Sequence, residues 1–195
     1  MSVDISNMIS ENVILIDAEY ADSVAFDLSV NFERMLERRI PKADLAHWLD
    51  CISLDGGLEP GAHNTLAIFI YEKKNKELEN FTPSNFESEL NGKAFKDNLG
   101  EFSIEAYPVA NDVTNKEEYY IEALKIITDN KKVNRIMLIP NIEAYGSKVR
   151  DAIRNNKDKD ITLFAMEPQQ GRGFNQQILG YSLMSALGIR GEEIR

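Results

Sequence analysis

Apolar positions along the chain follow two alternating rhythms. Val13-Ile14-Leu15-Ile16 is a short unbroken apolar run ending at Asp17, the pattern of a central parallel strand buried on both faces. From residue 20 to 40 the rhythm turns helical: Val24, Leu28, Phe32, Met35 and Leu36 form a stripe, Glu33 and Glu37 face outward, and Pro41 closes the helix. A second helix is predicted from Asp44 to Leu54, burying Leu45, Trp48, Leu49 and Ile52 before the Asp55-Gly56-Gly57 turn. Thr65 to Tyr71 reads as the next strand.

The charged stretch 72–100 contains Pro83, and Ser84 is the expected N-cap of a helix carrying Phe86, Leu90 and Phe95. Beyond Gly100 the pattern predicts a strand over 102–107, a loop over 111–115, a helix over 116–128 and a strand over 136–139. A helix over 145–153, a strand over 161–165, a flexible joint at 169–173 and a terminal helix from Gln176 to Leu187 complete it. Strands separated by helices of crossover length predict a single α/β domain over 1–195, with a mostly parallel, helix-covered, Rossmann-like three-layer sheet.

Composition narrows the function classes. Cys51 is the only cysteine, which excludes an intramolecular disulfide, a CxxC pair and a cysteine metal cluster. No apolar run approaches membrane-spanning length and no export pattern is visible at the N-terminus, so a cytoplasmic location without membrane contact is expected. The net charge of −10 repels nucleic acid at long range. That charge is uneven: residues 1–130 carry 11 basic against 25 acidic side chains, residues 131–195 carry 11 against 7. Solvated surface is the simpler reading of this asymmetry, and a basic C-terminal face that docks RNA or the acidic part of a second copy is the sharper one. A homo-oligomer is expected on that basis; the apolar face of the 174–195 segment completes the domain's own core, the preferred reading, or supplies the contact between copies through Ile178, Leu183 and Leu187. No GxxxxGK[ST] occurs, and Gly171-Arg172-Gly173 lacks a third glycine at Gln176, which argues against P-loop and dinucleotide sites.

The segment Ile14-Leu15-Ile16-Asp17-Ala18-Glu19-Tyr20 resembles the opening motif of NYN domains, relatives of the PIN-type nucleases, and the order of strands and helices is similar over residues 12–167. The resemblance implies a carboxylate cluster at the carboxyl ends of the strands holding Mg²⁺ or Mn²⁺ for phosphodiester hydrolysis, since hard cations prefer oxygen ligands. Asp17 matches the first family ligand, and Glu19 follows it. Tyr20 replaces the family's asparagine. After the third clear strand, Ile142 and Ala144 stand where the family carries two acids, and Glu143 substitutes only if the loop shifts by one residue. For the remaining family acid, Asp112, Glu117, Glu118 and Glu122 are alternatives.

Asp17 is thus a ligand or a helix cap, and Glu19 and Glu143 are ligands or first-turn acids favoured by the helix dipole. The first expectation is a diverged, non-catalytic NYN-like module acting through protein partners or self-association, without a cofactor. The second is a Mg²⁺- or Mn²⁺-dependent ribonuclease or phosphoesterase, with Asp17 and Glu143 catalytic and Asp17, Glu19 and Glu118 on the metal. The third is a small-ligand protein using the switch point of the sheet. His47 and His63 are expected to be structural.

Overall fold

The computed structural model of the chain describes residue 5 and residues 8–195. In chain order it contains β1 (Asn12–Asp17), α1 (Ala18–Leu36), β2 (Ala43–Asp44), α2 (Leu45–Asp55), β3 (His63–Glu72), β4 (Phe81–Thr82) and a π-helical turn (Phe86–Leu90). Then come β5 (Lys93–Asp97), β6 (Gly100–Val109), α3 (Lys116–Asp129), β7 (Arg135–Ile139), α4 (Ile142–Ile153), β8 (Asp160–Ala165), β9 (Asn175–Ile178), α5 (Leu179–Ala186) and a 3₁₀ turn (Gly191–Ile194).

Seven strands form one sheet in the order β5-β6-β3-β1-β7-β8-β9, and only the β5–β6 pair is antiparallel. The first parallel strand, β1, lies centrally, with β3 and β6 on one side and β7, β8 and β9 on the other. The order reverses between β1 and β7, the switch point at which doubly wound sheets open a crevice beyond their carboxyl ends. Asp17 ends β1 there, beside β7, with Ile16 level with Ile139.

Alternate strand residues feed two cores. Ile14, Ile16, Phe69 and Ile139 pack against α1, α2 and α5; Val13, Leu15, Ile68 and Leu138 pack against α3 and α4. This explains the unbroken apolar runs: a strand covered by helices on both faces has no solvent side to mark with polar residues.

Three expectations change. The helix predicted from Ser84 is a single π-helical turn capped by Asn85, whose side chain accepts from the backbone N–H groups of Glu87 and Ser88. Gly92, at φ +76°, then turns the chain into β5, where Phe95 stacks on Phe102 with ring centroids 4.7 Å apart. The terminal helix begins later than predicted: Asn175–Ile178 pairs with β8 as an edge strand, and helix starts only at Leu179. Helix α1 ends at Glu37, in the left-handed region at φ 53°, before Pro41 is reached.

Two of the three residues in the apolar C-terminal row are internal, and Ile178, at the end of β9, is half-buried. Leu183 is fully buried and Leu187 almost so, packed in the core shared with α1 and α2. Trp48 of α2, also fully buried, donates its indole N–H to Ser182 at 3.2 Å. Leu183 and Leu187 are therefore not free to form the contact between copies that the charge asymmetry suggested. Leu183→Ala should lower the unfolding free energy by about 2–5 kcal/mol in urea titrations, with the light-scattering mass unchanged from wild type.

Candidate functional site

The strand β1 delivers Asp17 to the switch point, and helix α1 begins there because Asp17 caps it. Its Oδ1 accepts the backbone N–H of Tyr20 at 3.1 Å. The side chain is fully buried, so each further lone pair needs a donor from the protein. Two arrive from the opposite helix layer. Lys116, the first residue of α3, places Nζ 2.8 Å from Asp17 Oδ1, and Tyr145 of α4 donates its hydroxyl to Asp17 Oδ2 at 2.5 Å. Tyr145 reaches that oxygen from a kinked first turn, where its own dihedrals (φ −142°, ψ 25°) leave the helical region. Behind it, Tyr120 of α3 packs its ring 5.5 Å from that of Tyr145 and donates its hydroxyl to the Leu15 carbonyl at 2.8 Å.

Lys116 serves two carboxylates. Its Nζ is also 3.1 Å from Glu19 Oε1, which accepts the Glu72 backbone N–H at 3.0 Å and so ties α1 to the end of β3. Burial by itself would lower the Lys116 pKa, but Asp17 and then Glu19 outweigh it and hold the ammonium above its ordinary value. Glu19 moves upward, since burial costs its charged form more than the shared cation returns. The ammonium lies slightly closer to Asp17 than to Glu19. Burial, followed by the charge of Asp17, raises both Tyr120 and Tyr145 far above the ordinary tyrosine range and keeps them proton donors.

The other predicted acids reach the same edge without converging. Glu118 Oε2 accepts from the Thr114 hydroxyl at 3.1 Å, and Glu117 is paired with Lys148. Glu122 lies near Tyr119, and Asp112 borders an apolar groove with Val113 and Tyr119. Glu143 is exposed in the first turn of α4. Its charge is felt by Tyr20, whose hydroxyl, buried and without a hydrogen-bond partner among the described residues, is pushed up to about 12 by burial first and by Glu143 and Asp17 after it. Among the described residues, no group of three His, Cys, Asp or Glu side chains is arranged to hold a metal ion.

A model of DUF6621, a family of unknown function, matches residues 6–194. The chain belongs to that family. No curated protein and no solved structure matches it. The DUF6621 match contains every residue of the strand-end cluster. No helix among the described residues is long and apolar enough to cross a membrane.

Lys116 and Tyr145 are the members of the cluster that sequence reasoning missed. One signal for Lys116 was present: a lysine at the first position of a helix faces the positive end of the dipole, an unfavourable placement that calls for a nearby anion. The His47 ring links α2 to α5, its Nε2 2.8 Å from the Ser185 hydroxyl.

A second carboxylate cluster lies at the opposite, amino-terminal edge of the sheet. Asp50 of α2 meets Asp97 at the end of β5, and the buried Asp50 Oδ1 has no donor when both groups are ionised. Burial, then the hydrogen bond and charge of Asp97, then the charge of Asp44 push Asp50 up to about 7. A proton shared by the pair supplies the missing bond.

Two outcomes follow from these clusters. Lys116→Met strands a buried carboxylate and should cost about 3–5 kcal/mol in urea denaturation, with Asp17→Asn in the same chain recovering part of the loss. Asp50 has a folded-state pKa above its unfolded value, so its contribution is present below pH 3.8 and is lost as pH rises through about 7. Asp50→Asn should therefore be more stable than wild type near pH 8, by about 1 kcal/mol after discounting for the solvent that still reaches the pair. A stability profile that rises between pH 4 and 7 in wild type and not in the variant would contradict this.

Proposed function

We propose that the chain is a catalytically silent, NYN-like module that works through protein contacts. The observation that carries the reading is the position of Lys116, whose ammonium contacts Asp17 and Glu19 at the strand ends, where the resemblance to NYN domains puts a divalent cation. A metal needs its oxygens at about 2.0–2.6 Å. To use Asp17 and Glu19 it must displace a buried cation already held by both. Tyr145 takes the other oxygen of Asp17, and the loop that carries acids in the family offers Ile142 and Ala144.

Contact with proteins is the use that the surface supports. On α1, Phe26 and Val30 lie one turn apart with 53% and 37% of their surface exposed, bordered by Asp27 and Glu33. Two large apolar side chains on one helix face with a charged rim match the centre and edge of a protein interface. The acidic net charge opposes a nucleic-acid substrate.

A ligand-binding reading has one observation in its favour, the unpartnered Tyr20 hydroxyl at the switch point, which a polar molecule could satisfy. Purified protein incubated with single-stranded RNA and Mn²⁺ or Mg²⁺ should show no metal-dependent cleavage. Cleavage that disappears in a folded Asp17→Asn variant would overturn the proposal in favour of a metal-dependent nuclease.

A further inference from the structure

A second site is suggested by three arginines that converge on one side of the fold. Arg150 in the last turn of α4 and Arg154, the residue that caps its C-terminus, lie one turn apart, and Arg172 comes from the loop between β8 and β9. With Asp151, Gln170 and Gly171 they line an open cavity of about 570 Å³. Three guanidinium groups against one carboxylate is a local excess of positive charge on a protein of net charge −10.

These arginines are not spent on ion pairs as others in the chain are. Arg38 and Arg135 each hold a carboxylate within 2.9 Å. By contrast, Arg150 donates to the neutral Gln169 Oε1 at 2.7 Å, and Arg154 has only Asp151 at 3.9 Å, both ends largely exposed. Among the described residues Arg172 has no hydrogen bond or ion pair. Like charges four positions apart at a helix end repel, and an anion held by both relieves that repulsion.

The loop is held in the position that brings Arg172 over α4. Gln169 and Gln176 exchange backbone and side-chain bonds of 2.7 and 3.0 Å, and Asn156 Nδ2 donates to the Gly173 carbonyl at 3.0 Å. At Gly173 the backbone has φ +89°, and a Cβ would fall 2.3 Å from the Ile153 carbonyl oxygen. Only glycine allows this close approach to the end of α4. The expected flexible joint is thus a fastened loop that carries a cation.

We infer that this cavity binds the phosphate group of a small phosphorylated molecule, gripped by Arg150, Arg154 and Arg172. Planar guanidinium forks donate paired hydrogen bonds to phosphate oxygens, a geometry that lysine cannot reproduce. The cavity exceeds the size of one phosphate and falls in the range of about 300–1,000 Å³ typical of small-molecule sites. A long polyanion is disfavoured because the acidic remainder of the surface repels it beyond the cavity rim.

Calorimetric titration of the full chain with inorganic pyrophosphate at low salt tests this, with ¹⁵N-resolved shifts recorded in parallel. Saturable binding is expected, with shifts concentrated at 150–154 and 169–173. Arg154→Gln and Arg172→Gln should each weaken affinity about tenfold or more, while Arg34→Gln, on the exposed face of α1, should leave it within about twofold. Circular dichroism establishes that the variants fold, and the wild-type shift map reports the site independently of any variant. Failure to saturate by about 10 mM, where binding energy is under about 3 kcal/mol, or equal affinity in all variants, would overturn the inference. Tighter binding of an RNA lacking terminal phosphates at the same salt would also overturn it, assigning the arginines to a nucleic-acid backbone.

Discussion

A carboxylate at the end of a central strand cannot be hydrated when helices close over both faces of the sheet, and Asp17 meets that constraint with donors from three helices. The backbone of α1, the ammonium of Lys116 on α3 and the hydroxyl of Tyr145 on α4 all reach it. Helix α1 belongs to one layer, and α3 and α4 belong to the other. The buried charge therefore joins both layers at the point where the strand order reverses. Burial raises the energetic stakes, since an unpaired carboxylate there costs far more than the pair gains over apolar replacements.

The same constraint shapes function. In a doubly wound sheet the switch point is where ligands ordinarily enter. Here Lys116, Tyr145 and Tyr120 fill the space around Asp17, and their contacts tie the two helix layers together. The surfaces on which the proposed contacts rest lie elsewhere: an exposed apolar pair on α1 and an arginine-lined cavity beside α4. The uneven charge along the chain acquires a location in that cavity, since Arg150, Arg154 and Arg172 all belong to the basic C-terminal third.

Much of the fold is legible in the sequence because strands covered on both faces and helices with one covered face leave different apolar rhythms. Residues 13–16, 65–71 and 136–139 announce the centre of the sheet, and Asp17 its carboxyl-terminal edge. The readings that fail do so where the local signal is short or tertiary pairing decides. Phe86, Leu90 and Phe95 keep helical spacing, yet Gly92 divides them and Phe95 finds Phe102 across an antiparallel pair. Gln176 and Gln177 carry no strand signal and become strand only because β8 offers an open edge. In the site, Asp17 and Glu19 are visible as neighbours in sequence, whereas Lys116 and Tyr145 stand 99 and 128 positions from Asp17 and are brought to it only by the folded sheet.

An internal ammonium, that of Lys116, bridges the Asp17 and Glu19 carboxylates. A crystal structure grown in millimolar Mn²⁺, with anomalous scattering measured for the metal, tests it most directly. No anomalous peak is expected beside Asp17, with the Lys116 ammonium still in contact with the Asp17 and Glu19 carboxylates. A manganese ion coordinated by Asp17 and Glu19, with Lys116 swung away, would contradict it.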